Sequence, residues 1–205
     1  MTSVLLSYVL TCIAIELTPG PNMAYLAILS AERGRWMALH AVLGVATGLG
    51  LLGALAVIGV GTLIAEQRAI YEALRWAGIA YLLYLAFDAW RDSRLPVEST
   101  DLNNTGWRYF QRGLINNLLN PKAALFYITV MPNFVVAGTP QMGQTMLLGA
   151  VYVAVATVIH AMVVVLAGSL QQLLLGNPGR RKVMGLVFAA LLVGVAIWVA
   201  VTTAQ

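Results

Sequence analysis

The sequence predicts an all-α membrane protein. Six transmembrane helices are expected, as two inverted three-helix repeats, the first helix of each repeat broken at proline. Three observations predict this fold. The chain is 60% hydrophobic and only 10% charged, where an ordinary soluble domain carries about 25% charged residues. Its apolar residues gather in six stretches, each near the ~20 residues a bilayer crossing takes. Prolines flanked by glycine or asparagine interrupt the first and fourth stretches, and such paired interruptions mark a midplane site between repeats. Residues 1–205 read as one transmembrane domain, with halves of about 1–92 and 107–205 and a linker at 93–106.

The first stretch, Val4–Ser30, is longer than a straight crossing needs. Its middle reads Glu16-Leu-Thr-Pro-Gly-Pro-Asn22. Proline lacks a backbone N–H and clashes with the preceding turn, so the helix must break or kink. A break within hydrocarbon is tolerated only where the freed backbone faces protein or a wet cavity. Two half-helices joined at Pro19-Gly20-Pro21 are therefore expected. Glu16, ionisable at that depth, marks a functional site by default; the plainer alternative is a kinked helix with Glu16 paired or snorkelling. Cys12 is the sole cysteine, so neither a disulfide framework nor a redox pair is available, and it reads as a small buried hydrophobe. With no basic residue ahead of it and a polar centre, this run reads as a span, not a cleaved leader.

The second stretch, Met37–Ala65, is rich in glycine, including Gly59 and Gly61; Gly44-x-x-x-Gly48 is a spacing that lets helices approach closely. In the third, about Tyr71–Trp90, Trp76 and Trp90 suit the membrane interface, and Asp88, beside Arg91 and Asp92, reads as a solvated interface charge. The polar run Arg91–Arg112, with Pro96, Asn103, Asn104 and Gly106, reads as a surface linker. The fourth stretch, Leu114–Val136, is interrupted by Asn116, Asn117, Asn120, Pro121, Lys122 and Pro132. The fifth, about Met142–Gln171, holds Thr157 and His160 mid-span. The sixth, Val183–Thr202, is uniformly apolar. One re-entrant stretch would make the count five instead of six.

Positive charges orient this arrangement. With both termini outside, inner loops hold nine Lys and Arg residues and outer loops two, Lys122 remaining in a span. The positive-inside rule thus favours N-out and C-out. The net charge of +4 is explained by orientation, and no nucleic-acid partner is expected.

The two breaks carry the chemistry. Asn120-Pro121 is a helix-start signal, and Thr18-Pro19 and Gly20-Pro21 offer the same arrangement in the first half. A half-helix starting inside the membrane directs free N–H groups and its positive end into the cavity, which suits a carboxylate. Lys122 adds a full positive charge. Glu16 can attract an ammonium group or exchange a proton, or the two can pair when the site is empty. One acid, one base and two helix starts match the zwitterionic head of an amino acid. Asn22 and Asn117 add amide groups, though Asn22 can also bond freed carbonyls at the kink and Asn116 can sit at the interface. Tyr25 and Tyr127 are placed at a side-chain pocket. His160 is either an interhelical hydrogen-bond partner or, with Glu16, part of a proton path. Glu16 and His160 are too few for a metal site, and no cofactor is expected.

The sequence resembles the LysE/RhtB family of bacterial amino-acid exporters. The motifs are Leu17-Thr-Pro-Gly-Pro-Asn22, the Gly34-Arg35 step, Ala77-Gly-Ile-Ala-Tyr-Leu-Leu-Tyr-Leu85, the run from Phe110 through Asn-Leu-Leu-Asn-Pro-Lys to Phe126, and Met131-Pro-Asn-Phe-Val135. The resemblance spans nearly the whole chain. It implies export of amino acids or close derivatives across the bacterial inner membrane, driven by the proton-motive force. Pro19, Gly20, Pro21 and Asn22 carry over, as do Asn117, Asn120, Pro121 and Lys122. Asn22 stands where many members have aspartate, and Gly48, Gly50 and Gly53 lie where members have histidine, which leaves Glu16 as the available acid. The expected partners are the substrate, protons and the bilayer; homodimerisation is left open. A passive channel or a metal or other small-solute transporter is the alternative. A membrane enzyme fits less well: Gly168-Ser169 is a poor nucleophile motif and a second cysteine is lacking.

Overall fold

The computed structural model describes residues 2–18, 20–57, 68–92, 102–136, 141–169 and 178–202, with no strand among them. Pro19, residues 93–101 of the expected linker, and Gly59 and Gly61 lie outside the described residues. The helices are α1 (Thr2–Leu17), α2 (Pro21–Arg33), α3 (Arg35–Val57), α4 (Arg68–Asp92), α5 (Leu102–Leu118), α6 (Pro121–Leu125), α7 (Gln141–Gly168) and α8 (Pro178–Thr202). After α6 the chain continues through a π turn, Phe126–Val130, and a 3-10 turn, Met131–Phe134.

Both proline interruptions break the helix. The axes of α1 and α2 differ by 58°. Thr18 closes the end of α1, its Oγ1 donating to the Ala14 carbonyl at 3.1 Å. Gly20 is then extended, at φ −151° and ψ 174°, and Pro21 opens α2. The second break repeats this logic. Asn120 is extended at φ −86° and ψ 109°, its side chain accepts from the Lys122 backbone N–H, and Pro121 opens α6. Between α2 and α3 the chain turns at Gly34, whose φ of 89° only glycine adopts without strain.

The polar run Arg91–Arg112 is not all linker, for helix α5 begins at Leu102. Its arginines Arg108 and Arg112 sit one turn apart and share a helix face. Among the described residues, α3 and α7 are long and apolar enough to cross a membrane, and the bent pair α1–α2 makes a third if it counts as one span. Helices α4 and α8 have 25 residues each, or roughly 37 Å. The apolar part of α8 is confined to Leu186–Val201, and α4 buries Arg75 and Asp88.

Helix α3 lies at the centre, packed against α5 and α7; α4 packs on α8, α2 touches α7, α3 and α8, and α1 lies on α7. Glycines allow the closest approach. A Cβ on Gly44 would run into the Phe110 carbonyl, and one on Gly113 into that of Ala41, so α3 and α5 meet backbone to backbone. Cys12 is fully buried in this core. Outside, Leu10, Leu43, Val158, Leu166, Leu186 and Ile197 are exposed, a surface suited to lipid.

Candidate functional site

The two breaks meet. The Asn22 amide donates to Asn117 Oδ1 at 2.8 Å and accepts from Asn116 Nδ2 at 3.0 Å. Lys122 reaches across to the end of α1, where Nζ donates to the carbonyls of Ile15 and Thr18, each at 2.7 Å. Ile15's carbonyl would ordinarily take the N–H four residues on, but that residue is Pro19 and has none. The carbonyl keeps a bond from the Thr18 N–H at 3.1 Å, and Lys122 adds a second donor. Gly20 leaves it room, since a Cβ there would come 3.2 Å from Lys122 Cδ.

Glu16, 6% exposed, points the other way around the same break. Its Oε1 accepts from the Tyr152 hydroxyl at 2.7 Å, and His160 Nε2 lies 3.2 Å from Oε2. Among the described residues His160 Nδ1 and Asn117 Nδ2 are buried without a partner. Glu16, Lys122, Asn22, Asn120, Tyr152 and His160 line one cavity together with Gly20, Met23 and Ala123. It measures about 10 Å³, enough for one water molecule, so the site is closed. Beside it is an apolar chamber of about 370 Å³, open to the outer surface, between the end of α1, α6 and α8. Thr18, Asn120 and Lys122 form its polar rim, and Pro21, Pro121, Leu125, Phe126, Val130 and Trp198 line its wall.

Several expectations change. Glu16 and Lys122 do not pair: Glu16 takes Tyr152 and His160, while Lys122 serves the carbonyls of Ile15 and Thr18 at the end of α1. Asn22 bonds two asparagines of α5 instead of carbonyls at the kink, and Asn116 is buried instead of at an interface. Tyr127 turns away from the cavity, its hydroxyl donating to the Leu49 carbonyl at 2.8 Å. Tyr25 lines a separate cleft with Asp88 and Arg112. Asp88 is not a solvated charge; it is 2% exposed, because guanidinium groups from two helices enclose it. Pro19 lies outside the described residues.

Sequence reasoning missed Tyr152. The available signal was spacing: Tyr152, Ala156 and His160 fall at i, i+4 and i+8 on one face of an otherwise apolar helix. Met23 and Ala123 carried no signal of their own, being apolar residues next to the breaks.

This is the architecture of a helical membrane protein with a small polar site where two interrupted helices meet. The LysE type translocator family matches residues 13–203, and the chain belongs to that family. It is 30% identical to the homoserine/homoserine lactone efflux protein of Salmonella typhimurium over 186 residues, 90% of each chain. It is also 30% identical to a leucine efflux protein of Salmonella choleraesuis over 182 residues, 87% of this chain and 85% of the relative. An uncharacterized membrane protein of Vibrio cholerae is 26% identical over 201 residues, 97% of each. No solved structure matches.

Proposed function

We propose that the chain is a secondary active exporter of amino acids or their derivatives across the bacterial inner membrane, coupled to protons and working by alternating access. The observation that carries this reading is the junction of the two breaks, where Lys122 and Asn22 join segments about a hundred residues apart. The efflux relatives support the same class.

In the proposed architecture six spans form two inverted three-helix halves, N-out and C-out. The helix contacts support it, for pairings of the first half have counterparts in the second: α3 with α5 and α7 with α1 and α2, while α3–α7 and α4–α8 join equivalent helices. In the closed state the site's charged groups are satisfied by the protein itself. An entering carboxylate competes with two carbonyls for Lys122 and gains the free N–H groups at the start of α2. An entering ammonium competes with His160 for Glu16. Proton uptake at Glu16 then dismisses the ammonium and couples release to the gradient. The apolar chamber beside Lys122 suits a substrate with an apolar side chain, and the leucine efflux relative is in keeping with that.

The test is transport in proteoliposomes under an imposed pH gradient, with a panel of amino acids. The wild type is expected to concentrate at least one of them. Glu16→Gln is expected to keep substrate exchange and lose the pH drive. Gradient-driven transport persisting in Glu16→Gln rules the carboxyl out as the coupling group, and flux independent of any gradient in the wild type favours a channel.

A further inference from the structure

The central site leaves unused the most highly charged buried cluster among the described residues. The carboxylate of Asp88, on α4, is held by Arg91 at 3.2 Å, by Arg108 at 3.0 Å and by Arg112. Arg91 and Arg108 are largely exposed, but only 11% of the Arg112 side chain is accessible; its guanidinium also lies 5.4 Å from the centre of the Tyr109 ring. Beside Arg112 is a cleft of about 20 Å³, lined by Tyr25 from α2, by Asp88 and by Leu192 from α8. Tyr25 is 3% exposed, and its hydroxyl has no hydrogen-bond partner among the described residues. Buried polar groups are seldom left unpaired, so an orphan hydroxyl on a residue that lines a cleft calls for a partner there.

The cleft's position gives it meaning. Tyr25 is one turn along α2 from Asn22, and Arg112 is one turn along α5 from Asn116. Since Asn22 and Asn116 are bonded to each other, the cleft stacks directly under the asparagine layer of the central site. It leads from there toward Glu32 and Arg33 at the end of α2.

We propose that this cleft is an entrance site for the head group of the amino acid, distinct from the central cavity. The substrate carboxylate bridges the Arg112 guanidinium and the Tyr25 hydroxyl, taking the place of Asp88 on Arg112. The substrate ammonium faces the carboxylate oxygen that Arg112 gives up. Arg91 and Arg108 remain on Asp88, so the acid is never stripped of counter-charge, and one buried ion pair is exchanged for two without leaving a charge uncompensated. The closed Asp88–Arg112 contact is then the empty form of the site and shuts the route to Asn22. This assignment rests on the exporter reading.

The test uses Tyr25→Phe, which removes only a hydroxyl that has no partner among the described residues. Initial rates are measured in right-side-out and inverted vesicles with an amino acid the wild type carries. KM is expected to rise roughly five- to tenfold, the worth of one hydrogen bond, for substrate offered at the arginine-rich face. KM and kcat at the opposite face and Tm are expected to stay unchanged, kcat from the arginine-rich face rising in step with its KM so that kcat/KM in the two directions stays in balance, and a carboxyl-blocked analogue should not distinguish variant from wild type. A KM unchanged at both faces, or raised equally at both, overturns the entrance site while leaving the exporter intact. A lowered Tm, showing the hydroxyl to be structural, overturns it too. A wild type that carries no amino acid in either direction fails the exporter reading itself, and this assignment with it.

Discussion

Lys122 Nζ lies 2.7 Å from the carbonyl oxygen of Ile15, a residue 107 positions earlier in the chain. The bond joins the second proline break to the first. It also helps a helix to stop inside an apolar core, for the Ile15 carbonyl, left with only the Thr18 N–H at 3.1 Å, receives an ammonium as well. The lysine therefore holds the closed state together and is also the cation nearest to any carboxylate in the cavity.

Replacing Lys122 with methionine keeps the stem and removes the donor. Hydrogen bonds from charged groups contribute about 1.5–3 kcal/mol each, so the variant is expected to lose on the order of 2 kcal/mol or more. This should appear as a lower Tm in detergent. Transport of free amino acids should fall more than transport of carboxyl-blocked analogues. Equal loss for both would make Lys122 a cap for α1 and nothing more.

The glycines of α3 give a sharper structural test. A Cβ on Gly48 would sit 2.7 Å from Asn117 Nδ2, whereas one on Gly50 meets nothing within 4 Å. Gly48→Ala is expected to displace Asn117 from Asn22, destabilising by about 1–3 kcal/mol as overpacking does and lowering transport. Gly50→Ala should be neutral or slightly stabilising, because alanine favours the helix. Equal tolerance of both in thermal unfolding and flux assays would place the Asn22–Asn117 contact elsewhere than in the working protein.

The breaks were legible because proline and asparagine act locally: Asn120-Pro121 announces a capped helix start whatever surrounds it, and the cap is there. The membrane character was legible from composition. What those residues touch was not, since partners such as Tyr152 for Glu16 lie 136 positions away. Asp88 misled for the same reason. Beside Arg91 at a helix end it reads as a surface charge, and only the approach of α5, bringing Arg108 and Arg112, buries it. Tyr25 and Tyr127 were placed in a pocket from their nearness to the breaks, but each is one helical turn or more away and turns onto a different neighbour.

At position 22 the hydrogen bonds decide between two substitutions. Asn22 gives one bond to Asn117 and takes one from Asn116, while Asn117 Nδ2 has no partner among the described residues. An aspartate can accept from Asn116 and, once the Asn117 amide turns over, from Asn117 as well. Asn22→Asp is thus expected to fold and transport, whereas Asn22→Ala strands two buried amides at a cost of about 1–3 kcal/mol each. Expression level and Tm in detergent separate the two. An alanine variant as stable as the wild type would show that this layer is bridged by water instead.

The apolar chamber predicts selectivity. Leu125, Val130 and Trp198 form its wall, and Lys122 stands at its rim, so a substrate held by its carboxylate would direct its side chain into this space. Burying a leucine-sized side chain is worth about 1.5–3 kcal/mol. Leu125 is partly exposed, at 38%, so Leu125→Trp should fill the chamber without disturbing the core. KM for a leucine-like substrate is then expected to rise about tenfold or more, with little change for amino acids that have small side chains. Trp198→Ala should act in the opposite sense and admit bulkier, aromatic substrates. Competition assays across side-chain sizes read this directly. A uniform loss for every substrate in Leu125→Trp would mean that the chamber faces lipid and that the side chain is read elsewhere.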